Sequence, residues 1–455
     1  MIKKYRYILL IAFTFLILRL PSLFEPNWYG DEGIYLVLGQ AVRKGLILYS
    51  QIHDNKPPTL YFLAALSQTV FGFRLLLSLW MIPTIYSFYL LAKKNKLATL
   101  IFVIFSSIPL IEGNIANAEV FMLLPTILAI YLFLNKKQFF IPGLLLGFAF
   151  TIKVPVAIEF VFIFIYSFFY FTQHRWLNLI KLAIGFILPI GLYLIYFFVV
   201  GASAEFLFAA LFQNFGYLSS WAVGTHSGSA TSGGLIPRAM FMILSWVLVY
   251  FYAKSNPKKL HFVFLLGWFS ATFFGALLST RPYPHYLIQL LPPLILTVLS
   301  LKQSKILAIV PLFLLIFAVV RYKFYFYPVF SYYQNFYFQG NQPQFFGGDL
   351  HDTQKIADYL KLNTNPSDRI FVWGDQPFVY VLSDRLPVGR FVVSYHIADF
   401  SQYDYSMNQL KIHPPKYIVY YQMSSRPFPQ LDSFLNNYYL PVVQSGSGII
   451  YSLRQ

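Results

Sequence analysis

The sequence predicts a polytopic α-helical membrane protein with a separate α/β domain toward its C-terminal end. Three observations carry this. Over 455 residues, 57% are hydrophobic, 20% aromatic and only 11% charged, a balance that soluble globular chains do not show. Apolar runs alternate with short lysine-bearing loops. After Val320 the pattern changes to a crowd of Tyr and Phe and then to a polar, Asn/Asp/Pro-containing region that runs to Gln455.

The first apolar segment, Ile8 to Phe24, follows Lys3, Lys4 and Arg6 and passes through Arg19-Leu20-Pro21 without a small-residue cleavage site. It reads as a retained anchor with a cytoplasmic N-terminus. Further runs are Phe73 to Leu91, Leu97 to Ile111, Val120 to Leu134, Phe139 to Ile152, Val154 to Phe171 and Leu179 to Val200. Leu235 to Tyr252, His261 to Leu278, His285 to Leu299 and Ile306 to Val320 complete a set of about eleven. Several are shorter than the roughly 20 residues of a full span, which predicts paired short helices between Phe139 and Phe171.

Placing Lys93-Lys94-Lys96, Lys136-Lys137, Arg175 with Lys181, Lys254 with Lys258-Lys259, and Lys302 with Lys305 inside satisfies the positive-inside rule at every turn. Much of the net charge of +17 is therefore topological, and the scattered basic residues form no nucleic-acid footprint. This topology leaves residues 25–72 as one external loop, with Pro57 to Gly72 as a helix lying in the outer interface. Residues 1–322 then form the membrane domain and 323–455 an extracytoplasmic α/β domain. In that domain the signals are a helix from an N-cap at Asp352 to Leu362, strands at Arg369 to Trp373 and Tyr417 to Tyr421, and a hairpin of Pro441 to Val443 with Gly448 to Leu453.

There is no cysteine, so disulfides, thiolate metal sites and cysteine nucleophiles are excluded. Gly224 to Gly234 lacks the lysine and strand–helix context of a phosphate-binding loop and reads as an external loop.

A distinctive set of polar residues falls on the outer side: Asp31 and Glu32, His53 to Lys56, Glu112 and Glu119, Lys153, Gln213 with Asn214 and Tyr217, and Arg281 to Tyr286 with His285. Charges at membrane depth are costly and mark function, so Lys153 within TIKVPV and Glu119 at a helix start stand out. Each has a structural alternative. Asp31 and Glu32 suit a helix N-terminus near Gly33, and Glu119 suits another; Lys56 is placed to snorkel toward headgroups. A pairing of Lys153 with Glu159 is poorly aligned on a helix.

Asp31-Glu32, Lys56-Pro57-Pro58, Asn117-Ala118-Glu119, Lys153 and the stretch Arg281 to Pro293 (RPYPHYLIQLLPP) together resemble the GT-C glycosyltransferases of the protein O-mannosyltransferase and aminoarabinose transferase kind, the bacterial branch related to glycosyltransferase family 39. The resemblance covers about the first 300 residues through the order of its motifs. It implies transfer of a sugar from a polyprenyl-phosphate carrier to an acceptor at the outer face of the plasma membrane. Asp31 matches the family's catalytic acid and Lys56 its lysine near the lipid phosphate. Lys153 and Tyr286 match further elements of the donor site, and Glu119 the second acidic position. Glu119 stands where relatives often carry Asp, and Arg281 where aminoarabinose transferases tend to carry Lys.

The chemistry suits these residue types. A hydroxyl acceptor needs a carboxylate to take its proton, a role for Asp31. Lys56, Lys153 and Arg281 would meet the negative charge growing on the leaving phosphate. Glu32 orients Asp31, pairs with a cation or ligates an ion; Asn214, Tyr217 and His285 are candidates for the acceptor side. One phosphate requires no metal, although Glu32, Glu119 and one histidine compose an alternative divalent-cation set. Two other classes compete: a transporter or flippase of lipid-linked sugars, for which the paired repeats are missing, and a catalytically silent glycan-binding membrane protein.

Overall fold

The computed structural model describes residues 2–213, 235–256, 259–278, 283–300, 331–340, 348–422 and 426–454. The expected segment Ile306 to Val320 and the loop Gly224 to Gly234 lie outside them. Ten helices occupy the first two hundred residues: α1 (Ile2–Phe24), α2 (Gly30–Arg43), α3 (Thr59–Leu66), α4 (Val70–Leu91), α5 (Lys96–Phe105), α6 (Ala118–Phe121), α7 (Leu123–Lys136), α8 (Phe140–Phe150), α9 (Val156–Tyr170) and α10 (Arg175–Val199). Helices Leu235–Ser255 and Leu260–Leu277 follow, then a 3-10 turn, Pro284–Leu290, that runs into the helix Leu291–Ser300.

Among the described residues, four stretches are long and apolar enough to cross a membrane: Val70–Leu91, Ala118–Lys136, Arg175–Val199 and Leu260–Leu277. The chain is a mostly helical membrane protein with a small sheet. The paired short helices expected between Phe139 and Phe171 are α8 and α9, broken at Lys153-Val154-Pro155 because the proline ring disfavours helical geometry in the residue before it. On α10, Ile184, Ile187, Leu192, Ile195 and Val199 are each more than half exposed, an apolar stripe of the kind that lipid covers.

The chain divides into two compact units. The first comprises Met1–Leu23, Arg74–Tyr196 and Asn214–Tyr333; the second comprises Phe24–Phe73, Phe197–Gln213 and Gln334–Gln455. In the first unit, Gly143 and Gly147 of α8 lie against the backbone of α10, where a Cβ would strike the carbonyl oxygens of Leu182 and Phe186. This is small-residue packing of the membrane-helix type. Phe133, Tyr166, Phe171 and Phe264 form an aromatic cluster in the same unit, and the indole of Trp268 donates to the buried Glu159 carboxylate at 2.6 Å.

In the second unit, α2 packs on α3 so closely that a Cβ on Gly39 would meet the backbone of Ala64 and Ala65. The interfacial helix expected over Pro57 to Gly72 ends at Leu66, and α4 begins at Val70. The break is stabilised by Arg43, whose guanidinium donates to the carbonyls of Ala65 and Ser67 at 3.3 and 3.0 Å. The remainder of this unit carries a five-stranded sheet of order β2-β1-β3-β5-β4, with β1 (Arg369–Trp373), β2 (Leu386–Pro387), β3 (Tyr417–Tyr421), β4 (Tyr439–Ser445) and β5 (Gly448–Leu453). Strands β2, β1 and β3 are parallel, and β5 runs antiparallel between β3 and β4. Phe371, Trp373, Leu410, Ile418, Phe428 and Leu431 form its core.

The expected strands β1 and β3 and the closing hairpin are present; β2 has two residues, too few to leave a periodic signal. Asp352 is not a cap. The helix Gly348–Asn363 starts four residues earlier, and the Asp352 carboxylate instead accepts from Ser445 Oγ at 2.7 Å.

The residues of the first loop and the C-terminal segment fold as one. His53 N–H donates to Arg390 C=O at 2.8 Å, adding a parallel bridge to Phe391. Gln40 Nε2 donates to Asp384 Oδ1 at 2.6 Å, and Lys44 Nζ lies 3.0 Å from the same oxygen.

The α8–α10 contact yields a direct test. Gly147→Val forces the two backbones apart, and overpacking of this kind costs about 1–3 kcal/mol. The unfolding midpoint of the detergent-solubilised protein should fall by several degrees relative to Gly191→Val, at a glycine of α10 with open space around it; equal midpoints would contradict the close approach.

Candidate functional site

The most prominent charge constellation of the second unit begins at the N-terminus of α2. Asp31 and Glu32 occupy its first turn, where unpaired backbone N–H groups favour negative charge. Glu32 is buried. Asp31 remains 28% exposed and Lys56 22%, and Lys56 Nζ lies 3.3 Å from Asp31 Oδ2. Both are thus reachable from outside the fold. Tyr35, one turn along α2, donates to the same aspartate oxygen at 3.2 Å, and its ring lies 4.9 Å from the ammonium.

Lys56 is held from both sides of its backbone. Its N–H donates to Tyr61 Oη at 3.1 Å, and its carbonyl accepts from Tyr49 Oη at 2.8 Å. The two prolines that follow narrow the backbone choices before α3.

Beneath this pair lies Asp54, whose side chain is 1% exposed. It accepts from Tyr61 Oη at 2.8 Å and from Asn55 N–H at 2.8 Å, and its Oδ2 is 4.0 Å from Lys56 Nζ. Burial alone would raise its pKa, but Lys56, His396 and these hydrogen bonds outweigh burial and hold it below the usual carboxylate value. His396, on the short helix Ser394–Asp399, faces Asp54 with Nε2 3.5 Å from Oδ1. Burial lowers the pKa of His396, and that of His53 to about 3, so burial favours the neutral form of both rings. Burial first, then the nearby carboxylates, pushes the Tyr35 and Tyr61 hydroxyls well above their ordinary value.

The first unit carries a second constellation. Gly113 permits a tight turn, since a Cβ there would meet the Ser106 backbone, and its carbonyl accepts from the buried Arg19 guanidinium. Beside it Glu112 adopts a left-handed conformation with φ 58°. Asn117 caps α6, its side chain accepting from Ala118 N–H at 2.8 Å, which sets Glu119 in the first turn, fully buried. Lys153, at the break between α8 and α9, forms an ion pair with Glu119 and lies 4.5 Å from the centre of the Tyr286 ring. His285 Nδ1 contacts Glu112, and its Nε2 is 3.6 Å from Glu119.

The sequence-derived set thus divides between the units: Asp31, Glu32 and Lys56 in the second, Glu119, Lys153, His285 and Tyr286 in the first. Arg281, Asn214 and Tyr217 lie outside the described residues. The alternative cation set falls partly in each unit, and among the described residues no group of three or more histidine or acidic side chains has a metal-holding arrangement. Lys153 takes Glu119 as its partner, while Glu159 is occupied by Trp268. Sequence reasoning grouped Asp54 with His53 and Lys56 but gave it no role, and it missed His396 altogether; 340 residues separate His396 from Lys56, and a lone histidine carries no local signal.

The chain resembles solved structures, among them the following. The crystal structure of ArnT from Cupriavidus metallidurans bound to undecaprenyl phosphate superposes with a TM-score of 0.57 at 12% identity, covering 98% of each chain. The apo structure of the same protein gives 0.55 at 11%, covering 99% of this chain and 98% of that one. The Archaeoglobus fulgidus oligosaccharyltransferase with Zn and sulfate gives 0.46 at 14%, covering 98% and 73%. At such identities the likeness is one of architecture, and the chain has the GT-C fold. Residues 351–453 match the family described as the putative competence-induced protein Ccs4 C-terminal domain. No curated protein matches the sequence.

The buried histidines set a pH dependence. In the unfolded chain His53 binds a proton as pH falls through about 6.5, whereas in the fold it does so only at about 3. The unfolded state holds more protons across that window, so stability is full above about pH 6.5 and declines as pH falls. The depressed His396 acts in the same direction, and Asp54 withdraws its contribution at still lower pH. Thermal unfolding of the full chain in detergent from pH 7.5 to 4.5 should show a falling midpoint, with a shallower slope in His53→Asn. An unchanged slope in that variant would assign the dependence elsewhere.

Proposed function

We propose that the protein is an inverting glycosyltransferase of the outer face of the plasma membrane, moving a sugar from a polyprenyl-phosphate carrier to a hydroxyl acceptor. The observation that carries this reading is the part-exposed pair of Asp31 and Lys56, 3.3 Å apart, on a GT-C fold whose neighbour ArnT was crystallised with undecaprenyl phosphate. A carboxylate and an ammonium side by side provide both halves of the reaction.

Asp31 takes the acceptor's hydroxyl proton as that oxygen forms a bond to the anomeric carbon. The bond from this carbon to the phosphate oxygen breaks, and its electron pair leaves with the lipid phosphate, inverting the carbon. Lys56 compensates the charge gathering on the leaving phosphate. Glu32, the buried neighbour of Asp31 in sequence, is proposed with it as part of the catalytic acid pair, orienting Asp31, pairing with a cation or ligating an ion. Lys153 with Tyr286, and Arg281, are proposed as further donor-phosphate residues; Glu119, His285, Asn214 and Tyr217 are proposed for the second acidic position or the acceptor. A single phosphate needs no divalent cation to leave, so the reaction is assigned none. The topology proposed with it has about eleven spans, a cytoplasmic N-terminus, 1–322 as transferase domain and 323–455 as outer domain.

Transfer from a polyprenyl-phosphate sugar in purified membranes tests this, with the substrates identified beforehand by mass spectrometry of glycans and glycolipids from cells with and without the chain. Asp31→Asn should reduce turnover by about 10²–10⁴-fold, the span typical of general base catalysis, while donor binding persists. Lys56→Ala and Lys153→Ala, made separately, should weaken use of the donor. Full turnover by Asp31→Asn would remove the base assignment; unchanged donor dependence in both lysine variants would remove the phosphate reading.

A further inference from the structure

We infer that Asp54 and His396 form a positioning pair through which the C-terminal segment of the second unit holds Lys56 in place. The inference deepens the proposed function, resting on the donor-phosphate role given to Lys56, and assigns roles to two residues outside that reaction scheme.

The geometry runs in one chain of contacts. Lys56 Nζ sits between two carboxylates, 3.3 Å from Asp31 Oδ2 and 4.0 Å from Asp54 Oδ2. Tyr61 Oη ties the same elements together, donating to Asp54 at 2.8 Å and accepting from Lys56 N–H at 3.1 Å. Asp31 is the exposed member and Asp54 the sealed one, so only Asp31 is placed to meet a substrate. Asp54 is placed to hold a cation from below.

A carboxylate without solvent needs donors around it. Two come from its own segment, Tyr61 Oη and Asn55 N–H. His396 faces it from a helix anchored at the carboxyl end of β1, where Ser394 N–H donates to Gly374 C=O at 3.1 Å. The imidazole is itself fixed, stacked on Phe400 with ring centres 5.4 Å apart and edge-on to His53 at 6.3 Å. His396 Nδ1 and His53 Nε2 are buried with no hydrogen-bond partner among the described residues. This directs the Nε2 proton of neutral His396 toward Asp54, the acceptor it faces. The charged and titratable groups around His396 are Asp54, Lys56, Asp31, His53 and Asp399, with Arg390 beyond His53. Among them Asp54 is the one whose carboxylate stands at contact distance from the ring.

Removal of the imidazole leaves Asp54 short of a facing donor, which favours its protonated form and releases Lys56 from one of the carboxylates it faces. The test measures Lys56 itself. In the full chain in detergent micelles, acylation of Lys56 by an amine-reactive ester is followed by peptide mass spectrometry, with exposed Lys411 as the internal standard. Binding of undecaprenyl phosphate is measured in parallel, and thermal unfolding serves as a fold control. His396→Phe keeps the stack on Phe400 but supplies no donor; His396→Gln restores an N–H.

The expected result is Lys56 labelling at least threefold faster in His396→Phe, returning to within about twofold of the native rate in His396→Gln, with lipid-phosphate affinity weakened about five- to tenfold only in the Phe variant. Native labelling in His396→Phe overturns the inference. Equal acceleration in both variants also overturns it, because ring packing and not the donor would then be responsible. If the labelling pattern holds but the native protein binds no undecaprenyl phosphate, the positioning pair stands and the donor-phosphate reading fails.

Discussion

A fully buried carboxylate is an obligation that the surrounding fold has to meet, and Asp54 imposes one on the second unit. It is matched by a phenol, a backbone amide, an ammonium and an imidazole drawn from two regions of sequence. Each donor brings its own support: Tyr61 reaches it from α3, Lys56 is locked by Tyr49, and His396 is carried by a helix whose first residue, Ser394, donates to the Gly374 carbonyl just after β1. Were the carboxylate to lose these partners it would cost several kcal/mol in place, so the arrangement of α3, the Lys56-Pro57-Pro58 turn and the C-terminal sheet is mutually conditional.

The first unit manages its charge by a different route. Glu119 is enclosed but pairs with Lys153, and His285 stands between Glu112 and Glu119. These groups lie on short, irregular elements: a left-handed residue, a four-residue helix and a 3-10 turn. Regular helix could not present these four acids and bases so near one another from such different places in the chain. Irregular backbone is tolerated in a helical membrane protein where side chains and packed neighbours satisfy it, and the Arg19 contact to Gly113 is one such satisfaction.

Much of this was legible in the sequence because its signals are local. Among the described residues most of the apolar runs reappear within helices, β1 and β3 have the bounds expected of them, and the break at Lys153-Val154-Pro155 follows from the proline. The residues singled out as chemically active include the pairs Asp31 with Lys56 and Glu119 with Lys153. What escaped was non-local. Nothing near His396 announces a partner hundreds of residues earlier, and β2 is too short to show a period. Asp352 satisfies the rule for a helix cap, yet its contact with Ser445 belongs to tertiary packing, which overrides local preference.

The second unit is built from three separated stretches of chain, beginning at Phe24 and completed only with the strands that end near Leu453. During synthesis the ribosome delivers the first stretch long before the last; at about 5–20 residues per second the wait is on the order of tens of seconds. Throughout that interval α2 and α3 lack the sheet-bearing segment they fold with, and Asp54 lacks its imidazole. A chain interrupted before Ser394 therefore carries Asp31 and Lys56 without the imidazole that faces Asp54.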